Sequence, residues 1–137
     1  MMDLLLFGPP GAGTGTQAKF LIETLKVPQI ATGDMMRAAR KSGSDIGKKF
    51  DEYMSAGKLV PDELVLELIE SRLREDDAKA GAIFDGFPRT VGQAEALDGM
   101  LAKLDRQIDK VVSLEVALDP IIERVTGRRV CLDCGQT

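Results

Sequence analysis

The sequence predicts an α/β protein with a doubly wound parallel sheet. Short apolar runs alternate with helical patterns along the chain, and this alternation is typical of βαβ units. The first apolar run, residues 4–7, is continuous, as expected of a strand buried on both faces of a parallel sheet. A length of 137 residues suits one compact domain with a real core.

The expected elements follow from these patterns. Thr32 and Asp34 each could cap the helix predicted after them, because their side-chain oxygens can accept a hydrogen bond from its first turn. Residues 31–60 are predicted to form a small helical insertion between sheet strands, and such an insertion can serve as a mobile cover over a substrate. Strands are predicted at residues 4–7, 29–31, 82–84 and 111–115, and helices at residues 17–25, 35–41, 45–56, 63–76, 91–103 and 119–127.

The stretch between the first strand and the first helix is rich in glycine. Gly8 and Gly13 have the spacing of a phosphate-binding loop, but Thr14 stands where that motif has lysine. Such a loop gathers backbone N–H groups at a helix N-terminus, where the helix dipole favours an anion. The loop can still gather its backbone N–H groups around a phosphate without the lysine, and Thr16 offers a hydroxyl that can face Mg²⁺. The alternative is a glycine-rich turn with no ligand.

Composition narrows the function classes. The net charge of −4 gives no general attraction to nucleic acid or to an anionic membrane. The chain has no histidine, which excludes hydrolases with an imidazole base and histidine-ligated metals. Phosphoryl transfer remains possible without histidine, because it depends mainly on positioning and electrostatics. No apolar run is long enough to cross a bilayer and the start lacks a secretion signal, so a cytoplasmic protein is expected.

Charged residues stand where a phosphate ligand would need them. Asp85 follows the strand at 82–84, and ligands of open parallel sheets bind at the carboxyl ends of strands. The alternative is a helix or turn cap after a strand. Arg37 and Arg89 could clamp one phosphate through paired hydrogen bonds. Arg124 and Arg128 are four residues apart and could share a helix face toward a polyphosphate. The plain alternative for that pair is a favourable position near a helix C-terminus.

Three motifs in one order, and a fourth stretch near the end of the chain, resemble a known family. Gly8-Pro9-Pro10-Gly11-Ala12-Gly13-x-Gly15-Thr16-Gln17 resembles the opening of adenylate kinases. Ala31-Thr32-Gly33-Asp34-Met35-Met36-Arg37 and Asp85-Gly86-Phe87-Pro88-Arg89-Thr90 are similar to two later motifs of that family, and Gly127-Arg128-Arg129-Val130-Cys131 resembles the start of its lid. The likeness covers the whole chain. It implies a P-loop nucleoside monophosphate kinase fold and the reaction ATP + AMP = 2 ADP, carried out by a cytoplasmic monomer with Mg²⁺.

The resemblance also implies site residues. Gln93 would read adenine, although a helix glutamine is more often plain surface. Asp85, Arg89, Arg124 and Arg128 would be catalytic. ATP would bind at Gly11, Ala12, Gly13, Thr14, Gly15, Thr16, Arg124 and Arg128, and AMP at Thr32, Arg37, Lys58, Leu59, Val60, Gly86, Phe87, Pro88, Arg89 and Gln93. The expected domains are a core at residues 1–30 and 61–126, the AMP-binding insertion at 31–60 and the start of the lid at 127–137.

The chain departs from the family pattern in two places. Thr14 replaces the loop lysine, and the chain ends before most of the lid and the last strand and helix of the core. Cys131 and Cys134 would then be half of a lid zinc site, since tetrahedral zinc needs two more ligands; a redox role lacks the usual strand-to-helix setting. We therefore expect strongly impaired catalysis. The alternatives are an inactive nucleotide-binding remnant and a kinase for another nucleoside monophosphate.

Overall fold

A four-stranded parallel sheet forms the centre of the protein. The structure, a computed structural model, describes residues 2–9, 11–134 and 136, so Met1, Pro10, Gly135 and Thr137 lie outside the described residues. The strands are β1 (Met2–Phe7), β2 (Gln29–Ala31), β3 (Gly81–Asp85) and β4 (Lys110–Ser113), in the order β2-β3-β1-β4. All three pairings are parallel.

Helices connect the strands and cover the sheet. They are α1 (Thr14–Leu25), α2 (Thr32–Ser42), α3 (Asp45–Ser55), α4 (Asp62–Leu73), α5 (Val91–Lys103) and α6 (Leu118–Gly127). A short 3₁₀ turn, Asp76–Ala78, precedes β3. Within the described residues, no helix is both long and apolar enough to cross a membrane.

The two faces of the sheet bury different side chains. Leu4 and Ile83 pack with Ala18 of α1 on one face. Phe84 packs on the other face with side chains of α3, α4 and α5, including the fully buried Phe50. Alternating side chains of a strand point to opposite faces, so β3 contributes to both cores. Helices on both faces of a parallel sheet confirm the predicted doubly wound α/β class.

Several boundaries differ from the prediction. α1 begins at Thr14, not at residue 17, because its first turn consists of polar and glycine residues that carry no apolar period. Thr32 and Asp34 lie inside α2, whose N-cap is Ala31, so the prediction that they cap the helix was wrong. The physical reason is that β2 runs directly into α2 without a loop. Phe7 is 52% exposed, so the first strand is not buried throughout.

The helices of residues 31–60 pack closely on each other and on the core. A Cβ at Gly47 of α3 would lie 2.0 Å from the Ala39 carbonyl oxygen of α2, so only glycine allows this approach. Arg40 of α2 donates two hydrogen bonds to Asp51 of α3. Ala39 belongs to the same buried cluster as Phe84 of the sheet.

An ion pair lies at the end of the sheet opposite the carboxyl ends of the strands. Asp3 and Arg106 are 1% and 5% exposed at their side chains. Arg106 Nε donates to Asp3 Oδ2 at 3.0 Å and a second guanidinium nitrogen donates to Oδ1 at 2.5 Å. The Asp3 backbone N–H in turn donates to the Asp109 carboxylate at 2.8 Å. These contacts tie β1 to the turn that leads into β4.

Candidate functional site: the carboxyl edge of the sheet

The glycine-rich loop follows the carboxyl end of β1 and leads into the N-terminus of α1. Gly11 and Gly13 have φ of 83° and 101°, a region that favours glycine. Gly13 is the N-cap of α1, and residues 14–17 after it include no acidic side chain. The first N–H groups of an α-helix have no partner inside the helix. Together with the helix dipole, they make this turn a site suited to an anion.

Helix α6 packs directly against the loop. A Cβ on Gly11 would come within 3.0 Å of Val125 Cγ2, and one on Gly8 within 3.1 Å of the Leu114 carbonyl oxygen. Arg124 donates a hydrogen bond to the Gly11 carbonyl at 3.1 Å. The structure therefore brings Arg124 to the loop as a cation. Arg128 is the exposed C-cap residue of α6 and has an extended backbone, so the prediction that it shares a helix face with Arg124 was wrong, because the helix ends at Gly127.

The predicted ATP-binding residues occupy successive positions of this turn. Ala12 is buried, and its N–H donates to the Pro9 carbonyl at 3.0 Å. Thr14, Gly15 and Thr16 form the first turn of α1, with Gly15 and Thr16 exposed. A threonine at position 14 offers a hydroxyl but no charge, so cations near the loop must come from elsewhere.

Asp85 ends β3 beside the strand that leads into the loop. It pairs in register with Leu6 on one side and with Ala31 on the other. Gln29 Nε2 donates to Asp85 Oδ2 at 2.9 Å. Gln29 was not predicted from the sequence, because its contact depends on the parallel β2–β3 register that sets Ala31 opposite Asp85. The amide contact orients the carboxylate at the sheet edge.

The turn after Asp85 brings three predicted AMP-binding residues together. Gly86 has a φ of 85°, and a Cβ placed there would lie 3.4 Å from an Arg89 guanidinium nitrogen and 3.8 Å from Thr32 Oγ1. Arg89 Nε donates to the Gly86 carbonyl at 2.7 Å. Phe87 is only 4% exposed and belongs to the core cluster, so only its backbone can face a ligand. Pro88 is half-buried.

Arg37, the other predicted phosphate clamp, lies on the surface of α2. It forms an ion pair with Asp34, and the two side chains are 63% and 74% exposed. Its guanidinium nitrogen lies 3.4 Å from the position a Cβ would take on Gly33. Because the pair is exposed, its net stabilisation is small, and Arg37 can exchange Asp34 for a phosphate at little cost.

Gln93 lies in the first turn of α5 and has hydrogen-bond partners for both its backbone and its side chain. Thr90 caps this helix by accepting the Gln93 backbone N–H at 3.1 Å. The Gln93 side chain accepts from the Arg89 backbone N–H at 2.7 Å and donates to Asp62 of α4 at 2.9 Å. Sequence reasoning missed Asp62, because the two residues are 31 positions apart and nothing local to either indicates the contact.

Residues 58–60 connect α3 to α4. The Lys58 N–H donates to the Tyr53 carbonyl at 2.9 Å, and Leu59 is 94% exposed. Val60 is half-buried and packs against the main core cluster. Val60 thus anchors this segment to the core, while the side chain of Leu59 is exposed.

The cysteines lie in an exposed segment after α6. Cys131 and Cys134 are both exposed, and the Cys131 N–H donates to the Gln136 carbonyl at 2.8 Å. Within residues 2–9, 11–134 and 136, no three metal-binding side chains come together. Two thiols do not meet the four-ligand demand of structural zinc, so the described residues do not fit that metal.

Two carboxyl groups with altered pKa lie away from the sheet edge. A hydrogen bond from Arg40, with help from Ser55, lowers the pKa of the Asp51 carboxyl. A hydrogen bond from Arg72 lowers the pKa of the Asp77 carboxyl, and the same bond raises the pKa of Arg72. Asp51 therefore links α3 to α2, and Asp77 links the turn before β3 to Arg72 of α4.

Comparisons with known proteins agree on one family. A family model described as adenylate kinase matches residues 6–136. The chain is similar to adenylate kinases from Desulforamulus reducens, with 54% identity over 134 residues, and from Staphylococcus aureus, with 48% identity over 136 residues. The matches cover 98% and 99% of this chain and 63% of each relative. The chain thus spans just under two thirds of the length of these relatives.

Proposed function

The chain belongs to the adenylate kinase family, and from this premise we propose that it forms the nucleotide-binding core for transfer of the terminal phosphoryl group of ATP to AMP, giving two ADP. The N-terminus of α1 supports this most strongly: it opens from a left-handed Gly13, carries no acidic residue in its first turn, and lies at the carboxyl edge of the sheet. We expect a cytoplasmic monomer with the domain limits predicted from the sequence.

The donor side of the proposed site is the loop with Arg124. Backbone N–H groups of residues 13–16 would hold the ATP phosphates, because they are directed out of the helix end and need acceptors. Arg124 already touches Gly11 through a neutral carbonyl at 3.1 Å. A phosphate oxygen is a stronger acceptor for a guanidinium than a carbonyl. We therefore expect Arg124 to turn from the loop to the nucleotide, with Arg128 following it.

The donor set at the sheet edge fits Mg²⁺. That ion prefers oxygen ligands and keeps several of its waters, and Asp85 offers a carboxylate oriented by Gln29 while Thr16 offers an exposed hydroxyl at the loop. These two residues would hold the ion. When bound, Mg²⁺ would neutralise charge on the donor phosphates.

The acceptor side of the proposed site is the space above Gly86. Thr32 and Arg89 border it at van der Waals distance from a Cβ at that position. Arg89 and Arg37 would bind the AMP phosphate, and Gln93 would bind the base, with residues 58–60 and 87–88 completing the pocket. Leu6 and Asp85 are paired neighbours, so donor and acceptor sides share one edge of the sheet.

Catalysis in this arrangement would come from position and charge. The AMP phosphate would attack the terminal phosphorus of ATP in line, while Arg89, Arg124 and Arg128 stabilise the charge that spreads over the transferred group. Loss of one preorganised stabiliser typically lowers the rate by on the order of 10² to 10³. Thr14 in place of lysine is such a loss, so we propose that turnover by this chain is strongly reduced.

The test is ADP formation from ATP and AMP with Mg²⁺, together with calorimetric titration of each nucleotide into the folded chain. AMP and ATP binding with slow turnover is the expected result, and binding of neither would refute the proposal. The second candidate is a binding protein without catalysis, which Thr14 favours; binding with no ADP at all would select it. Tighter binding of GMP, CMP or UMP than AMP would indicate a different nucleoside monophosphate.

A further inference from the structure

The side-chain amide of Gln93 is held at both of its ends. Its Oε1 accepts the Arg89 backbone N–H at 2.7 Å, and its Nε2 donates to Asp62 Oδ1 at 2.9 Å. The two partners come from different segments, the turn before α5 and the first residue of α4. The amide is thus a bridge between two elements and not a freely rotating surface group.

These two contacts permit one orientation of the amide. A backbone N–H can only donate and a carboxylate can only accept. If the amide turned over, its NH₂ would face the Arg89 N–H and its oxygen would face the Asp62 carboxylate. Both hydrogen bonds would be lost and replaced by two repulsive contacts. Asp62 and the Arg89 N–H therefore enforce the same orientation from opposite ends.

The fixed amide keeps one acceptor and one donor for a ligand. An amide oxygen has two lone pairs and an NH₂ group has two hydrogens, and each end has used one. A 6-aminopurine presents an amino donor next to a ring-nitrogen acceptor. A 6-oxopurine presents a carbonyl acceptor next to a ring N–H, which is the reverse order. A rotating amide could pair with either purine, whereas a fixed amide matches only one of them for a base held in a given position, and the proposed function makes that one the 6-aminopurine.

We propose that Asp62 is a positioning residue that determines specificity: by fixing the Gln93 amide, it makes the acceptor pocket choose a 6-aminopurine monophosphate over its 6-oxo analogue. This inference rests on the proposed function. It adds a residue on α4 to a pocket whose other proposed residues lie on α2, in the segment 58–60, in the turn after β3 and on α5.

The experiment measures the dissociation constants of AMP and IMP for the 137-residue chain by calorimetry. The variants are Asp62→Asn, which can present either a donor or an acceptor to Gln93, and Asp62→Ala, which presents neither. Glu63→Gln is the matched control, because Glu63 is the exposed next residue of α4 and loses the same charge. Thermal melting of each variant verifies folding.

The wild-type chain should prefer AMP by at least about fivefold, the lower limit expected of a paired donor and acceptor contact. Asp62→Asn and Asp62→Ala should reduce that ratio at least about threefold, in line with the loss of one oriented contact, while Glu63→Gln leaves it unchanged. In Asp62→Ala, the side-chain NH₂ signals of Gln93 should also shift in ¹H–¹⁵N spectra. An unchanged ratio in both Asp62 variants, or an equal change in Glu63→Gln, overturns the inference alone. Failure of the wild-type chain to bind AMP overturns the proposed function and this inference with it.

Discussion

Removal of Arg106 should destabilise the fold without affecting the proposed nucleotide site. Asp3 is 1% exposed and receives two hydrogen bonds from Arg106, so Arg106→Met would leave a buried carboxylate without its cation. Loss of one partner of a buried pair typically costs about 3–5 kcal/mol. A domain is stable by only about 5–15 kcal/mol. One substitution would therefore remove a large part of the stability.

The assay is urea unfolding followed by circular dichroism for the wild type, Arg106→Met, Asp3→Leu and the double variant. Replacing a whole buried ion pair by apolar side chains is often neutral or stabilising, so the double variant should be more stable than Arg106→Met alone. AMP affinity of the folded variants should stay near the wild-type value, because the pair lies at the opposite edge of the sheet. Additive losses in the double variant would refute the reasoning, since they would mean that the two side chains do not depend on each other.

Three further predictions concern charge. Thr14→Lys, in a chain extended to the length of the relatives, should raise ADP formation at least about tenfold because it restores one preorganised cation; an unchanged rate would contradict this. Arg124→Ala should weaken ATP binding at least about tenfold by removing a charged hydrogen bond and leave AMP binding unchanged, which titration of each nucleotide checks. The lowered pKa of Asp77 means that its bond to Arg72 stabilises the fold fully above the ordinary value of 3.8, and that this contribution disappears as the pH falls through the lowered pKa. In urea unfolding, Asp77→Asn should therefore lose less stability than the wild type when the pH is lowered from neutral to below the lowered pKa of Asp77. Equal losses in the two proteins would argue against the bond.

Features that depend on neighbours along the chain could be predicted from the sequence. The strand-to-helix alternation indicated the parallel sheet, because a strand and the helix after it each have their own period. The spacing of Gly8 and Gly13 indicated the turn from the first strand into the first helix, because backbone geometry there is set by the residues themselves. Asp85 could be placed at a strand end for the same reason. Helix starts were predicted less well, since Thr32 begins α2 without a capping role.

Contacts between distant segments were decided only by the tertiary structure. Gln29 meets Asp85 because β2 and β3 pair in one particular register, and no local pattern states that register. Arg124 meets Gly11 across 113 positions because α6 packs on the loop. Asp62 is one of several acidic residues on α4 until the fold sets it beside Gln93. Sequence periodicity encodes which face of an element is buried, but the packing of whole elements decides which polar side chains meet at the site.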